Sequence, residues 1–192
     1  DDARAVARSL LDVYAEGEFD ALVAPSGSCA AQIRHLHELF PDHDPAHGRA
    51  RELAGRTHEL GSFLVDVLGV EDLGARFDGR VTWHDACHGL RDLGIRDQPR
   101  RLIGRVAGAE LVEAGTADSC CGFGGTFSVK HSDISVAMLD WKLQAVEELG
   151  VDAIVSGDVS CLVQIEGRLK RRRSRVRALH LAELLASRGR SP

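Results

Sequence analysis

One segment of this chain occurs twice. Displaced by 132 residues, DALVAPSGSCAAQI (20–33) lies over DAIVSGDVSCLVQI (152–165) without a gap. Seven positions are identical: Asp20/Asp152, Ala21/Ala153, Val23/Val155, Ser28/Ser160, Cys29/Cys161, Gln32/Gln164 and Ile33/Ile165. Each copy reads as a short buried strand followed by a helix with a cysteine near its start, Ser28 being the expected N-cap of the first. Two copies are too few for a solenoid, and a duplicated domain fits them. The C-terminal part of a first unit is placed at 1–70 and a second, complete unit at 71–192. In the second unit the vicinal pair Cys120–Cys121 stands 40 residues before Cys161. The matching pair for Cys29 falls near position −12, and the chain opens DDARAV without Met. The expectation is a chain that starts inside the first unit.

The rest of the sequence alternates helix and strand. Helical spacing covers 3–17, with Val6, Leu10, Val13 and Tyr14 on one face, and continues at 28–40, 47–60 and 62–69. Strands are expected at 20–25, 80–85, 109–114, 151–157 and 175–179. Helices are expected at 87–94, 98–108, 161–172 and 180–187. The clearest is 133–150, where Ile134, Met138, Trp141, Ala145 and Leu149 share a face read as core. This alternation predicts an α/β fold with a mostly parallel sheet and flanking helices.

Composition excludes several classes. With 44% hydrophobic and 28% charged residues the chain is an ordinary globular sequence. The longest apolar run, SFLVDVLGV (62–70), is interrupted by Asp66 and too short to span a bilayer. A net charge of −5 gives no general attraction to nucleic acid. The basic run RLKRRRSRVR (168–177) reads as a solvated helix end. Five cysteines, an odd number without a secretory signal pattern, argue against a disulfide framework and for a reducing compartment.

The order in the second unit is Cys87, Cys120–Cys121, Cys161. Cys87 and the vicinal pair each follow a strand, and Cys161 opens a helix after a third. In a parallel sheet those strand ends converge on one edge. Four thiolates there could hold zinc, a 2Fe–2S cluster or a 4Fe–4S cluster. The short C-x₂-C knuckles of zinc and ferredoxin sites are absent. A vicinal pair, whose side chains diverge, suits a cluster of several irons better than one ion. A structural four-cysteine zinc site and a thiol switch on the vicinal pair are the alternatives. Gly122, Gly124 and Gly125 would let backbone approach the site and turn N–H groups toward sulfur. GFGG lacks the endings of a phosphate or dinucleotide loop. His84 and His88 flank Cys87 and read as hydrogen-bond donors or surface imidazoles rather than ligands. Lys130 reads equally as a counter-charge and as an ordinary exposed lysine.

WHDACHGLRDLGIRDQPRRLI, CCGFGGTFSVK, GDVSCLVQIEGRL and HLAELL, with APSGSCAAQIR from the first unit, together resemble the cysteine-rich CCG-domain proteins, specifically the lactate-utilisation branch. The same domain occurs in heterodisulfide reductase and in the iron–sulfur component of glycolate oxidase. The resemblance implies a cytoplasmic iron–sulfur protein in the oxidation of L-lactate to pyruvate. It implies an electron-transfer subunit rather than a stand-alone catalyst. It also implies companion subunits, one of them ferredoxin-like. In related proteins a C…CCG…CxxC motif binds an unusual 4Fe–4S cluster. Here Asp158 stands where the first cysteine of CxxC would be, and Ser26 at the same place before Cys29. The implied ligands are Cys87, Cys120, Cys121 and Cys161, with Asp158 or an outside ligand on the remaining iron. Cys29 belongs to a first-unit site of which only this part is present.

Overall fold

The computed structural model describes residues 2–14 and 18–189. Helix α1 (Asp2–Tyr14) leads to strand β1 (Leu22–Ala24) and helix α2 (Gly27–Arg34). The expected helix end at 15–17 lies outside the described residues. A 3₁₀ turn, Leu36–Leu39, precedes α3 (Pro45–Arg56), whose N-cap Asp44 accepts from the Ala46 N–H. Strand β2 (Thr57–Glu59) follows at once, then the short α4 (Leu60–Ser62) and a π turn, Phe63–Val67. Strand β2 corrects the helix expected over 47–60. The Thr57 hydroxyl donates to the Leu53 carbonyl, and the helix stops there because Thr57 and Glu59 are buried beside β1.

The second half holds β3 (Arg76–Trp83), a π turn at His88–Asp92, α5 (Asp97–Ile103) and β4 (Ala107–Leu111). Helices α6 (Thr126–Lys130) and α7 (Ser132–Glu148) precede β5 (Ala153–Ser156), α8 (Val159–Arg172), β6 (Arg177–His180) and α9 (Leu181–Ala186). Helix α6 falls in a stretch expected to be loop. The strands form two parallel sheets, β1-β2 and β4-β3-β5-β6. Ala24 pairs with Glu59 in the first, and Ser156 with His180 in the second. The repeated segments thus share the order strand, helix, parallel strand. Glu59 and His180, at matching positions, both cap the next helix.

Alternation along β5 divides the core. Ala153 and Val155 join Val81, Trp83, Leu102 and Leu181 on one face. Ile154 joins Leu139, Leu143, Ile165 and Cys161 on the other, under α7 and α8. A third cluster, with Leu11, Phe40 and Leu53 at its centre, packs α1 onto α3. Two expected helix faces are rotated. In α1 the buried residues are Ala7 and Leu11, while Val6, Val13 and Tyr14 are exposed. In α7 Trp141 is 61% exposed, and the buried stripe is Ser135, Leu139, Lys142, Leu143 and Val146. That stripe carries a serine and a lysine because part of it faces a loop backbone rather than apolar side chains. The basic run is largely exposed at the end of α8, with two of its arginines paired. Arg168 and Arg172 clasp Asp140 from α8, and Arg172 also meets Glu147. No helix among the described residues is long and apolar enough to cross a membrane.

Candidate metal centre

The central strands β4, β3 and β5 are parallel neighbours, so their C-terminal ends lie side by side. Each delivers part of the site. The loop after β3 carries His84 and Cys87. The loop after β4 carries Cys120 and Cys121, and α8 after β5 carries Cys161 close to its N-terminus. The four cysteines line one cavity of about 360 Å³. Gly124, Gly125, Phe123, His88 and Asp158 also line it, and Ser28 of α2 closes it from the first half of the chain. Cys29, one residue further along α2, is exposed and lies outside this lining. Lys130 is exposed on α6 and also lies outside it.

The loop after β3 is fixed on three sides. The His84 N–H donates to the Val155 carbonyl (2.8 Å) and the Asp85 N–H to the Ala117 carbonyl (3.0 Å). Buried Asp85 accepts from the Trp83 indole at 2.7 Å and from both terminal nitrogens of Arg100, at 2.9 and 2.8 Å. This bidentate charge pairing raises the Arg100 pKa further, burial working against it. The residues leading to Cys87 are thereby tied to β5, to the loop after β4 and to α5.

The CCG loop hangs from α7. Lys142, 1% exposed, points its ammonium at the loop before the cysteines. It donates to the carbonyls of Thr116, Ala117 (3.2 Å) and Ser119 (3.1 Å). Burial pushes its pKa down to about 8, against the opposing pull of Cys121 and Asp85. The Ser135 hydroxyl donates to the Gly122 carbonyl at 2.7 Å and accepts from Gln164 of α8 at 2.9 Å. Gly122 has φ +80°, and a Cβ there would come within 2.5 Å of the Ser135 carbonyl oxygen. Only glycine lets the loop lie this close to α7. The Gly122 N–H in turn donates to Cys120 Sγ at 3.3 Å. The polar side of α7 is thus the bracket of the cysteine loop.

Cys121 and Cys161 are buried with their sulfurs 3.1 Å apart. The hydrogen bond between them lowers the Cys121 pKa, helped by the His84 ring and the Phe123 N–H. The same bond raises Cys161, as do burial and the charge of Asp158. The pair therefore titrates as one unit, its first ionisation favoured by the shared hydrogen bond and its second opposed by burial and the nearby charge. Burial raises the Cys87 pKa, and the neighbouring Cys120 adds to it. A ring nitrogen of His84 and the sulfurs of Cys121 and Cys161 all lie within 4.8 Å of one another. The burial of His84 distinguishes it from His88, which pairs with Asp92 at the surface (2.6 Å).

Asp158 caps α8. One oxygen accepts from the Ser160 N–H (3.2 Å) and hydroxyl (2.5 Å), and the other from the Ser28 N–H (3.1 Å). Burial raises its pKa, yet these hydrogen bonds outweigh burial and hold it below the usual carboxylate range. Asp158 thus ties the two halves of the chain together at the cavity wall.

Sequence reasoning missed Lys142 and the Asp85–Arg100 pair. The available signal was charge: an aspartate inside a strand-end motif and a lysine within a strongly periodic helix both need partners when buried.

The donor set fits a thiophilic metal group. Four cysteine sulfurs face one cavity, backbone N–H groups reach two of them, and a buried imidazole nitrogen stands beside the sulfur pair.

A family model described as a cysteine-rich domain (CCG) matches residues 81–166, which hold all four of these cysteines. The chain is 42% identical over 185 residues to lactate utilization protein A of Macrococcus caseolyticus, covering 96% of this chain and 75% of the relative. It is 41% identical over 187 residues to lactate utilization protein A of Bacillus subtilis, covering 97% and 78%. The protein of that name from Geobacillus kaustophilus is 42% identical over 187 residues, with 97% and 77% covered.

Proposed function

The chain belongs to the lactate utilization protein A family, and on that premise we propose that it is the iron–sulfur electron-transfer subunit of a complex oxidising L-lactate to pyruvate. The observation that carries this reading is the meeting of Cys87, Cys120, Cys121 and Cys161 on one cavity. These four would hold a cluster of the 4Fe–4S type, which supplies one-electron storage and transfer when bound. The chain's own part is placement and electrostatics. The shared hydrogen bond between Cys121 and Cys161 favours loss of one proton from the buried pair, which prepares it as a ligand. The Gly122 N–H steadies charge on Cys120, and Lys142 supplies a buried positive charge beneath the loop.

Residues 1–70 are read as the C-terminal part of a first repeat and 71–192 as the second. The companion subunits, one ferredoxin-like, would exchange electrons with this chain in the cytoplasm. Iron and acid-labile sulfide analysis with electron paramagnetic resonance on the anaerobically purified full-length protein tests the reading. Iron and sulfide in near-equal amounts are expected, and their absence rejects it.

The His84–Cys121–Cys161 triangle favours one second reading, a single zinc ion on two thiolates and an imidazole. That reading expects a colourless protein with one zinc and no sulfide.

A further inference from the structure

We infer that His84 is a metal ligand of this centre, coordinating through Nε2 beside Cys121 and Cys161. The inference rests on the proposed metal centre and adds a nitrogen to its sulfur ligands. His84 is 1% exposed, and its Nε2 is buried without a hydrogen-bond partner. A buried polar atom in that state has given up its bond to water, and the neighbouring Cys121 makes no aligned hydrogen bond to it in return. The native fold keeps it, so a partner from outside the chain is the economical explanation.

The ring is also set up for coordination. Its nearest polar neighbour at Nδ1 is the Ala117 carbonyl, 3.4 Å away. A carbonyl only accepts, so the proton sits on Nδ1 and the lone pair on Nε2. This is the tautomer, oriented by a backbone carbonyl, that metal-binding imidazoles use. The backbone on either side is pinned as well: the His84 N–H donates to Val155, and its carbonyl accepts from the Ser156 hydroxyl at 3.2 Å. A ligand held this firmly loses little entropy on binding.

The other non-sulfur candidates are engaged elsewhere. Both oxygens of Asp158 already accept hydrogen bonds that cap α8 and anchor α2. His88 is exposed and paired with Asp92 at the rim. The rival role for His84 is an imidazolium donating to the Cys121 thiolate. That role predicts no strongly coupled nitrogen at the metal.

The test uses full-length protein prepared anaerobically with nitrogen-15 histidine, beside an unlabelled sample. Iron, zinc and sulfide are measured first. In iron-loaded protein reduced to a paramagnetic state, pulsed electron paramagnetic resonance is expected to show a strongly coupled nitrogen. Its pattern should change with the label, persist in His88→Ala, and be lost in His84→Asn, whose amide can still donate to the Ala117 carbonyl. A loaded wild-type protein without that coupling overturns the inference, as does coupling that survives His84→Asn. The wild-type comparison needs no variant to fold. Protein with zinc but no iron rejects the cluster reading alone. Its zinc is then exchanged for cadmium-113, whose resonance is expected to be split by the labelled nitrogen; an unsplit resonance overturns the inference. Protein with neither metal overturns both.

Discussion

The two copies of the repeated segment have the same strand-to-helix turn and put its cysteine in opposite surroundings. Cys161 is buried against Cys121 at the cavity, whereas Cys29 faces solvent on α2. The residues three positions earlier differ in the same sense. Asp158 caps its helix with a charged side chain, while the Ser26 side chain makes no cap bond and instead meets the Ser28 hydroxyl at 3.0 Å. A local motif therefore places a thiol at a strand end without deciding what the thiol does. The loops from β3 and β4, and the face of α7 that holds them, make the difference.

Metal content should separate the two copies most widely. Cys161→Ser should lose most of the bound metal, and Cys29→Ser should keep it, as read by iron and zinc analysis of anaerobic protein. Equal losses would break the comparison.

The bracket on α7 should show in stability. Gly122→Ala must relieve both a positive φ and a Cβ contact with the Ser135 carbonyl. A loss of roughly 2–4 kcal/mol in urea unfolding is expected. Gly125→Ala meets nothing within 4 Å and should lose only its backbone strain at φ +59°, ψ −112°, on the order of 1–3 kcal/mol.

Lys142 gives a pH signature. Its folded pKa lies below its unfolded value, so between about 8 and the ordinary lysine value the unfolded chain binds more protons. Stability therefore gains a rising component across that window, on the order of 2–3 kcal/mol. Lys142→Met should abolish it, and parallel curves for the two proteins across that window would refute the burial argument.

Asp158 gives a slope of the same sign in the acid range and a smaller effect. Asp158→Asn should cost about 1–2 kcal/mol at neutral pH, because the amide can still cap α8 but loses the charge on the bonds from Ser160 and Ser28. Because the folded pKa is depressed, that contribution is complete above the unfolded value and disappears as pH falls through the folded one. The wild-type and variant unfolding curves should converge in acid. Ser26→Ala at the matching position removes no helix cap and is expected to cost about 0.5–1 kcal/mol through its buried hydroxyl bond.

The parts of this arrangement that can be read from the sequence are those that obey local rules. Strands and helices alternate, and parallel strands bring sequence-distant ends together, so the meeting of Cys87, Cys120, Cys121 and Cys161 can be anticipated. What cannot be read is set by tertiary contact. The periodicity of α7 admits two faces, and apolarity favours the one containing Trp141. The real inner face is partly polar because it holds up a loop whose carbonyls need donors. His84 reads as bystander or surface imidazole because nothing in WHDACH shows that its ring is sealed under the sulfur pair. Strand β2 is hidden in a helical pattern because three residues are too few to alternate.

The bond from the Ser28 N–H to Asp158 joins residues 130 apart in sequence. The chamber of the four cysteines therefore has a wall borrowed from the other half of the chain, and a change that loosens α2 opens it to solvent.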